Sequence, residues 1–406
     1  MSAEMPESSP AARLVSIDAL RGIAALGVVL YHAVLQTRDT SPHYLFKWAI
    51  SAIQFLSSFG YIGVFLFFVI SGFCIHLQWA KALAEQREPH VKFKTFWVRR
   101  IRRLYPPYLI ALALFLGLGA VSSGISITRF FGYDLLMHLL MLHNLDWRTS
   151  YSINGVFWTL AIEEQLYLAY FVLLYLRRHW GWAPTLLICF LARPVWFFLS
   201  HAIWLLWGVG VPVPESAASH WFTWALGAIS VEAAFGIIMF PRWCRSLWLG
   251  NATILLASAI SLLLPGLGKD TIVHDASWLL MHPLWGFGFF VIVNRCVQAE
   301  KSWVSLRRQL LVGAAGFIGV SSYSLYLTHE LVIMQSWRFA IGWLPPMANT
   351  LLVLTPVTVI FAWGFFRLCE KPYMRRSSPS RQRVGSVQEE MFPGSLPALA
   401  EEELAG

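Results

Sequence analysis

The sequence predicts an all-α fold, a polytopic transmembrane helix bundle of about ten helices with both termini cytoplasmic. Three observations carry that expectation: 57% hydrophobic residues against 13% charged, a succession of apolar runs of membrane-spanning length, and basic residues gathered in alternate connections. The 20 Trp and 29 Phe are too many for one water-soluble core and suit lipid-facing and interfacial surfaces. A formal charge of +9 raises the question of nucleic acid, but the basic residues fall in short clusters between apolar runs rather than along one face, so no nucleic-acid partner is expected. Cys74, Cys189, Cys244, Cys296 and Cys369 show neither paired nor metal-like spacing and read as reduced, structural thiols.

The polar segment 1–13 precedes an apolar run with no small-residue cleavage site, so no removable signal peptide is expected. Spans are predicted near 17–36, 59–79, 104–122, 157–176, 183–207, 221–240, 247–264, 277–294, 311–334 and 349–368. Residues 130–143 are too short and polar for a span and read as amphipathic or re-entrant. With the N-terminus inside, the cytoplasmic segments hold 22 Lys and Arg and the outer ones six, which sets the orientation. The location expected is the inner (plasma) membrane. Residues 374–406, rich in Ser, Pro and Glu, read as a disordered cytoplasmic tail.

Ionisable groups inside spans are costly and mark candidate function. The first span carries Asp18, Arg21 and His32; the last two are eleven residues apart, close to three helical turns, and so share one face about 16 Å apart along the axis. The bland alternative is a snorkelling Arg and a His satisfied by a neighbouring helix. Ser71 and Gly72 interrupt the second span, where small residues let another helix approach closely; packing is the favoured reading for both. Arg99, Arg100, Arg102 and Arg103 stand just before Pro106 and Pro107 at a cytoplasmic boundary. They serve either as topology determinants touching anionic membrane lipid or as a phosphate clamp, for which coenzyme A is a suitable ligand.

Glu163 and Glu164 lie six or seven residues inside the fourth span and point about 100° apart, so one should meet protein or water; Tyr167 shares a face with Glu163. A structural alternative is a salt bridge from this pair to a buried Arg such as Arg193. Counting 1.5 Å per residue puts His32 and Glu163 at similar depth, each roughly 8–10 Å below the outer surface, where they can meet. His329, about 27 Å along the ninth span, lies in the outer part as well, sharing a face with Tyr326 and followed by Glu330. Glu370, at the exit of the tenth span, is placed to pair with the arginine cluster.

In this order, DALRGIAALGVVLYH at 18–32, FFVISGF at 67–73, RRIRRLYPPY at 99–108, WTLAIEEQLYL at 158–168, SYSLYLTH at 322–329 and EKP at 370–372 resemble the acyltransferase-3 family of integral membrane O-acyltransferases. The resemblance implies a transmembrane domain over 14–373. It also implies an acyl-CoA co-substrate, often acetyl-CoA, with no permanently bound cofactor or metal, and a hydroxylated glycan or lipid-linked acceptor. Arg21, His32, Arg102, Arg103 and Glu163 are the positions it singles out. The family commonly has Trp-Ser where Thr159 follows Trp158 here, and Trp where Thr328 precedes His329, a change expected to touch acceptor selectivity. Some relatives carry an additional extra-cytoplasmic domain, so the acceptor is expected to be bound by the bundle or supplied in trans.

The mechanism expected has the donor docked at the arginine cluster, Arg21 guiding its arm, and His32 acting as general base or acyl carrier with Glu163 on its other nitrogen. The competing class is a proton-coupled transporter or flippase, in which the same groups relay protons.

Overall fold

The computed structural model describes residues 14–37, 47–123, 129–263, 272–306 and 309–374; the predicted polar segment 1–13 and the tail from 375 onward lie outside the described residues. Fifteen α-helices are described and, among these residues, no strand. They are α1 (Val15–Leu35), α2 (Lys47–Ser58), α3 (Gly63–Ala84), α4 (Phe93–Ser123), α5 (Arg129–Leu139), α6 (Trp158–Trp180), α7 (Trp182–Trp207) and α8 (Ala217–Ala234). The chain continues through α9 (Leu247–Leu263), α10 (Ile272–Gln298), α11 (Glu300–Leu306), α12 (Leu310–Val320), α13 (Ser322–Ile333), α14 (Pro346–Asn349) and α15 (Thr355–Phe365).

Each of the ten predicted spans falls on helical segments, but not all of these are long and apolar enough on their own to cross a membrane. Seven are long and apolar enough to cross a membrane, and the pair α12–α13 makes an eighth only if counted across a bend of 83°. The remaining two are α9, 17 residues long, and α8. α8 needs no apolar shell because it is enclosed: twelve consecutive-to-near-consecutive positions from Ser219 to Glu232 are buried, His220 and Glu232 among them. Glu232 is held there by Arg177 Nη2 at 2.9 Å, His76 Nε2 at 3.0 Å and the Trp182 indole N–H at 2.7 Å, a network that ties α3, α6, α7 and α8 together.

Small residues set the helix spacing. A methyl group added at Gly72 would stand 1.9 Å from the Trp224 carbonyl oxygen, and one at Gly227 1.9 Å from that of Val69, so α3 and α8 touch backbone to backbone, as the reading of Gly72 as a packing residue expects. Gly22 and Gly319 do the same for α1 and α12, against Ala315 and Asp18. α1, α3, α8 and α10 thereby form the centre of the bundle. α7 turns Val195, Phe198, Leu199, Leu205 and Leu206 outward, an apolar exterior that suits hydrocarbon rather than water. The chain is a multi-pass membrane protein.

Two local features depart from the sequence expectation. First, α4 does not begin at the prolines: it starts at Phe93 and runs through Pro106 and Pro107, which lack the N–H groups that would bond the carbonyls of Arg102 and Arg103. The four arginines therefore sit on a helix, not before one. Second, the predicted ninth span is broken at Ser321, between Gly319, which must lie against Asp18, and Ser322, which opens α13. The straight-line depth of 27 Å assigned to His329 does not hold across that break. Residues 130–143, read as too short and polar for a span, form the short helix α5 and the turn leading to His143–Leu145, with the Tyr108 hydroxyl donating to the His138 carbonyl at 3.0 Å.

Candidate active site

The break before α13 turns Ser322, Tyr323 and Tyr326 into a cavity of about 70 Å³ between α1, α3, α6 and α13. Arg21, Ser71, Thr159 and Glu163 supply the rest of its polar wall, and Val64, Phe67, Phe68 and Leu160 its apolar one. A space of that size holds a few waters or an acetyl-sized group.

Glu163 is anchored within it. Its Oε1 accepts from the Ser71 hydroxyl at 2.7 Å and from the Tyr167 hydroxyl at 2.6 Å, and the Trp224 indole N–H donates to Ser71 Oγ at 3.3 Å. Ser71, read from sequence as a packing residue, is thus a member of the polar wall. Glu164 points elsewhere, as the 100° offset requires, and its carboxylate is buried with neither oxygen partnered among the described residues. Arg193, the structural alternative as a partner, is 3% exposed and none of its guanidinium nitrogens is hydrogen-bonded among the described residues.

At the basic end of the bundle the arginine cluster divides. Arg100 and Arg103, three residues apart on α4, are half-buried, whereas Arg99 and Arg102 are exposed. The Arg100 guanidinium lies 5.5 Å from the centre of the Tyr167 ring and 5.4 Å from that of Phe96, so one chain of contacts runs from Arg100 through Tyr167 and Glu163 to Ser71. Arg103 interacts electrostatically with Arg21, Arg100 and Glu370, and Arg21 with Asp18 and Glu163. Glu370, buried, accepts from the Ser324 hydroxyl at 2.6 Å. Tyr323 closes the group by donating to the Leu104 carbonyl at 2.9 Å.

His32 lies at the other end of the same α1 face, and its carboxylate partner is not the expected one. Nδ1 stands 3.3 Å from Glu330 Oε1, and Glu330 Oε2 accepts the Gly155 backbone N–H at 3.0 Å. Glu163 is held by Ser71 and Tyr167 instead. Equal depth along straight helices suggested a His32–Glu163 pair; the turn at Ser321 delivers Glu330 on α13 to that position. The His32 ring packs 5.1 Å from that of His329, which packs 5.8 Å from Tyr326 in the cavity wall. His329 Nδ1 donates to the Tyr326 carbonyl at 2.9 Å, and its Nε2 is buried with no hydrogen bond among the described residues. The Tyr326 hydroxyl donates to the Val156 carbonyl at 3.2 Å and accepts from Thr159 Oγ1 at 2.6 Å, tying α13 to α6.

Chemically, a carboxylate on Nδ1 fixes the imidazole tautomer with the lone pair on Nε2 and stabilises the imidazolium formed when Nε2 takes a proton. His32 keeps 23% of its side chain exposed, enough for a reacting hydroxyl to approach. Sequence reasoning missed Glu330 as a site residue although it follows His329 directly, and missed Tyr323 and Thr159. Glu330 and Tyr323 shared one signal, a run of polar groups around one apolar segment, which a helix buried against other polar groups requires.

Comparison with known proteins agrees with the motifs. A presumptive O-acetyltransferase of Staphylococcus aureus (strain COL) is 23% identical over 397 residues, covering 88% of this chain and 57% of its own length. The peptidoglycan O-acetyltransferase OatA of Listeria monocytogenes is 28% identical over 214 residues, covering 47% of this chain and 28% of its own. A presumptive acetyltransferase of Acidianus two-tailed virus is 32% identical over 154 residues, 37% of this chain and 38% of its own. The chain thus spans little more than half the length of the staphylococcal relative. No solved structure matches it. The acyltransferase domain that defines the family matches residues 14–367, and the chain belongs to the acyltransferase-3 family.

Proposed function

We propose that this protein is a membrane O-acyltransferase that moves an acyl group, acetyl in keeping with the names of its relatives, from acyl-CoA to a hydroxyl of a glycan or lipid-linked acceptor. The observation that carries this reading is the His32–Glu330 pair, with the His32 ring packed through His329 against Tyr326 of a polar cavity that Arg21 also lines, and Arg103 interacting electrostatically with Arg21 behind it. The excess of Lys and Arg in alternate connections supports an orientation with the arginine end in the cytoplasm, where acyl-CoA is made, and the His32 end toward the opposite face of the membrane.

In this reaction His32 Nε2 takes the proton of the acceptor hydroxyl as its oxygen attacks the thioester carbonyl; the carbon–sulfur bond then breaks and the proton passes to the departing thiolate. Glu330 holds the ring and balances its transient charge. Arg100 and Arg103 pair with the donor's phosphate groups nearest the cavity, while Arg99 and Arg102 remain in the headgroup and solvent layer. Arg21, one face with His32, supports the donor arm between them.

Labelled acetyl-CoA incubated with the purified protein and a hydroxylated acceptor tests the reading: label in an ester on the acceptor is expected, and donor-independent solute uptake with no label transfer would replace the enzyme by a transporter. The division of the arginines gives a second expectation. Arg100→Ala or Arg103→Ala should each raise the donor KM about 10-fold or more, the scale of one lost charge-assisted hydrogen bond, while Arg99→Ala and Arg102→Ala change it less than about threefold. Equal effects at all four positions in donor-saturation kinetics would return the cluster to a general electrostatic role.

A further inference from the structure

The His32–Glu330 pair lies between two cavities, linked to the first through the His329 and Tyr326 rings and followed at once by Ala33, which lines the second. Beyond it, toward the C-terminal end of α1, a second cleft encloses about 250 Å³ and its polar lining comes from Gln36, Thr37, Ser336, Asn349 and Thr350, with Phe339 presenting an aromatic ring. Gln36 follows His32 by four residues on the same helix face, about 6 Å along the axis, and Ser336 follows Glu330 by six. Among the described residues every lining side chain is uncharged.

Part of this lining is fixed and part is available. Asn349 holds the turn behind the cleft, its amide donating to the Ile341 and Leu344 carbonyls at 3.0 and 2.9 Å and its oxygen accepting the Ile341 N–H at 2.8 Å. Thr37 and Thr350 hydrogen-bond to each other at 2.6 Å and back to the Ala33 and Pro346 carbonyls. Gln36 is exposed and Ser336 half-buried, and neither side chain makes a hydrogen bond among the described residues.

We propose that this cleft is the acceptor subsite and takes one neutral, polyhydroxylated ring, an uncharged sugar residue of a glycan, presenting its hydroxyl to His32. The assignment rests on the acyl-transfer reading for the identity of His32, but the chemistry of the cleft is its own. Amide and hydroxyl groups both donate and accept, as sugar hydroxyls do. Phe339 offers a flat face to the C–H side of a pyranose ring. A phosphate or uronate would find no lining cation to pair with among the described residues, and paired cations are how proteins recognise those groups. The volume lies below the ~300–1,000 Å³ of pockets for drug-sized ligands, which suits one ring at a time rather than a chain segment.

The test measures binding without donor and transfer with it, on the full chain in detergent. Calorimetric titration with a neutral set (chitotriose, maltotriose, mannotriose) and with trigalacturonate should show at least one neutral oligosaccharide binding more tightly than the acidic one. Gln36→Ala should weaken that binding about 3- to 10-fold, and Gln36→Trp, which fills the cleft, should abolish it while the protein still elutes as a single folded species. Binding unchanged in both variants, no binding by any of the neutral set, or preference for trigalacturonate would overturn the proposal. If a neutral sugar binds and Gln36→Trp abolishes that binding, yet no label leaves acetyl-CoA, the acceptor subsite stands and it is the acyl-transfer reading that fails.

Discussion

His32→Ala is expected to lower acyl transfer by at least ~10²–10⁴-fold, the usual contribution of a positioned general base, while leaving insertion and folding intact. The separation of the two effects follows from the surroundings. His32 keeps 23% of its side chain exposed and makes no contact on which the α1–α12 or α1–α3 crossings depend; those rest on Gly22, Gly319 and Gly63. After truncation Glu330 retains the Gly155 N–H. His32→Gln, which restores a hydrogen bond toward Glu330 but cannot take a proton, should be as inactive as the alanine variant. Detergent-solubilised protein assayed with labelled acetyl-CoA provides the measurement, with elution profile and thermal midpoint as controls. An active His32→Ala protein would remove this residue from the chemistry altogether.

Much of this site could be read from sequence, and its failures have a common physical origin. The ten apolar segments all became helices because their lengths and composition leave no other hydrogen-bonded structure in hydrocarbon. Arg21 and His32 share one line on α1 because an eleven-residue spacing does so in any straight helix, and α1 is uninterrupted from Val15 to Leu35. The pairing of His32 with Glu163 did not survive because equal depth on two helices does not fix which side chains face each other: Glu163 is taken by Ser71 and Tyr167, and Glu330 reaches His32 from α13, beyond a bend at Ser321 that the apolar run 311–334 does not display. The arginine cluster likewise looked uniform as a string, RRIRR. Only the continuation of α4 through Pro106 and Pro107 fixes the helical phase that turns Arg100 and Arg103 toward Tyr167, Arg21 and Glu370 and leaves Arg99 and Arg102 outside. α8 shows the converse. Its hydropathy is too low for a lipid-facing span, and the reason is its enclosure by four other helices.

The partner exchange at His32 leads to the second large effect. Glu330→Gln is expected to lower kcat by about 10²–10⁴-fold with little change in donor KM, because an amide facing Nδ1 neither selects the reactive tautomer reliably nor stabilises the imidazolium. Glu163→Gln should behave differently. Glu163 accepts from Ser71 and Tyr167, and Tyr167 lies against Arg100, so the amide would loosen the wall of the donor cavity and appear mainly as a raised donor KM. The two carboxylates thus carry separable signatures, kcat at Glu330 beside His32 and KM at Glu163 in the cavity wall. A misfolded fraction lowers the amount of active enzyme without moving KM, so it cannot produce the Glu163→Gln signature, and the kcat of Glu330→Gln is normalised to the folded fraction from its elution profile and thermal midpoint. If Glu163→Gln gave the kcat loss and Glu330→Gln retained nearly full turnover, the pairing expected from helix depth would be the operative one, and the turn of α13 would serve the fold rather than the reaction.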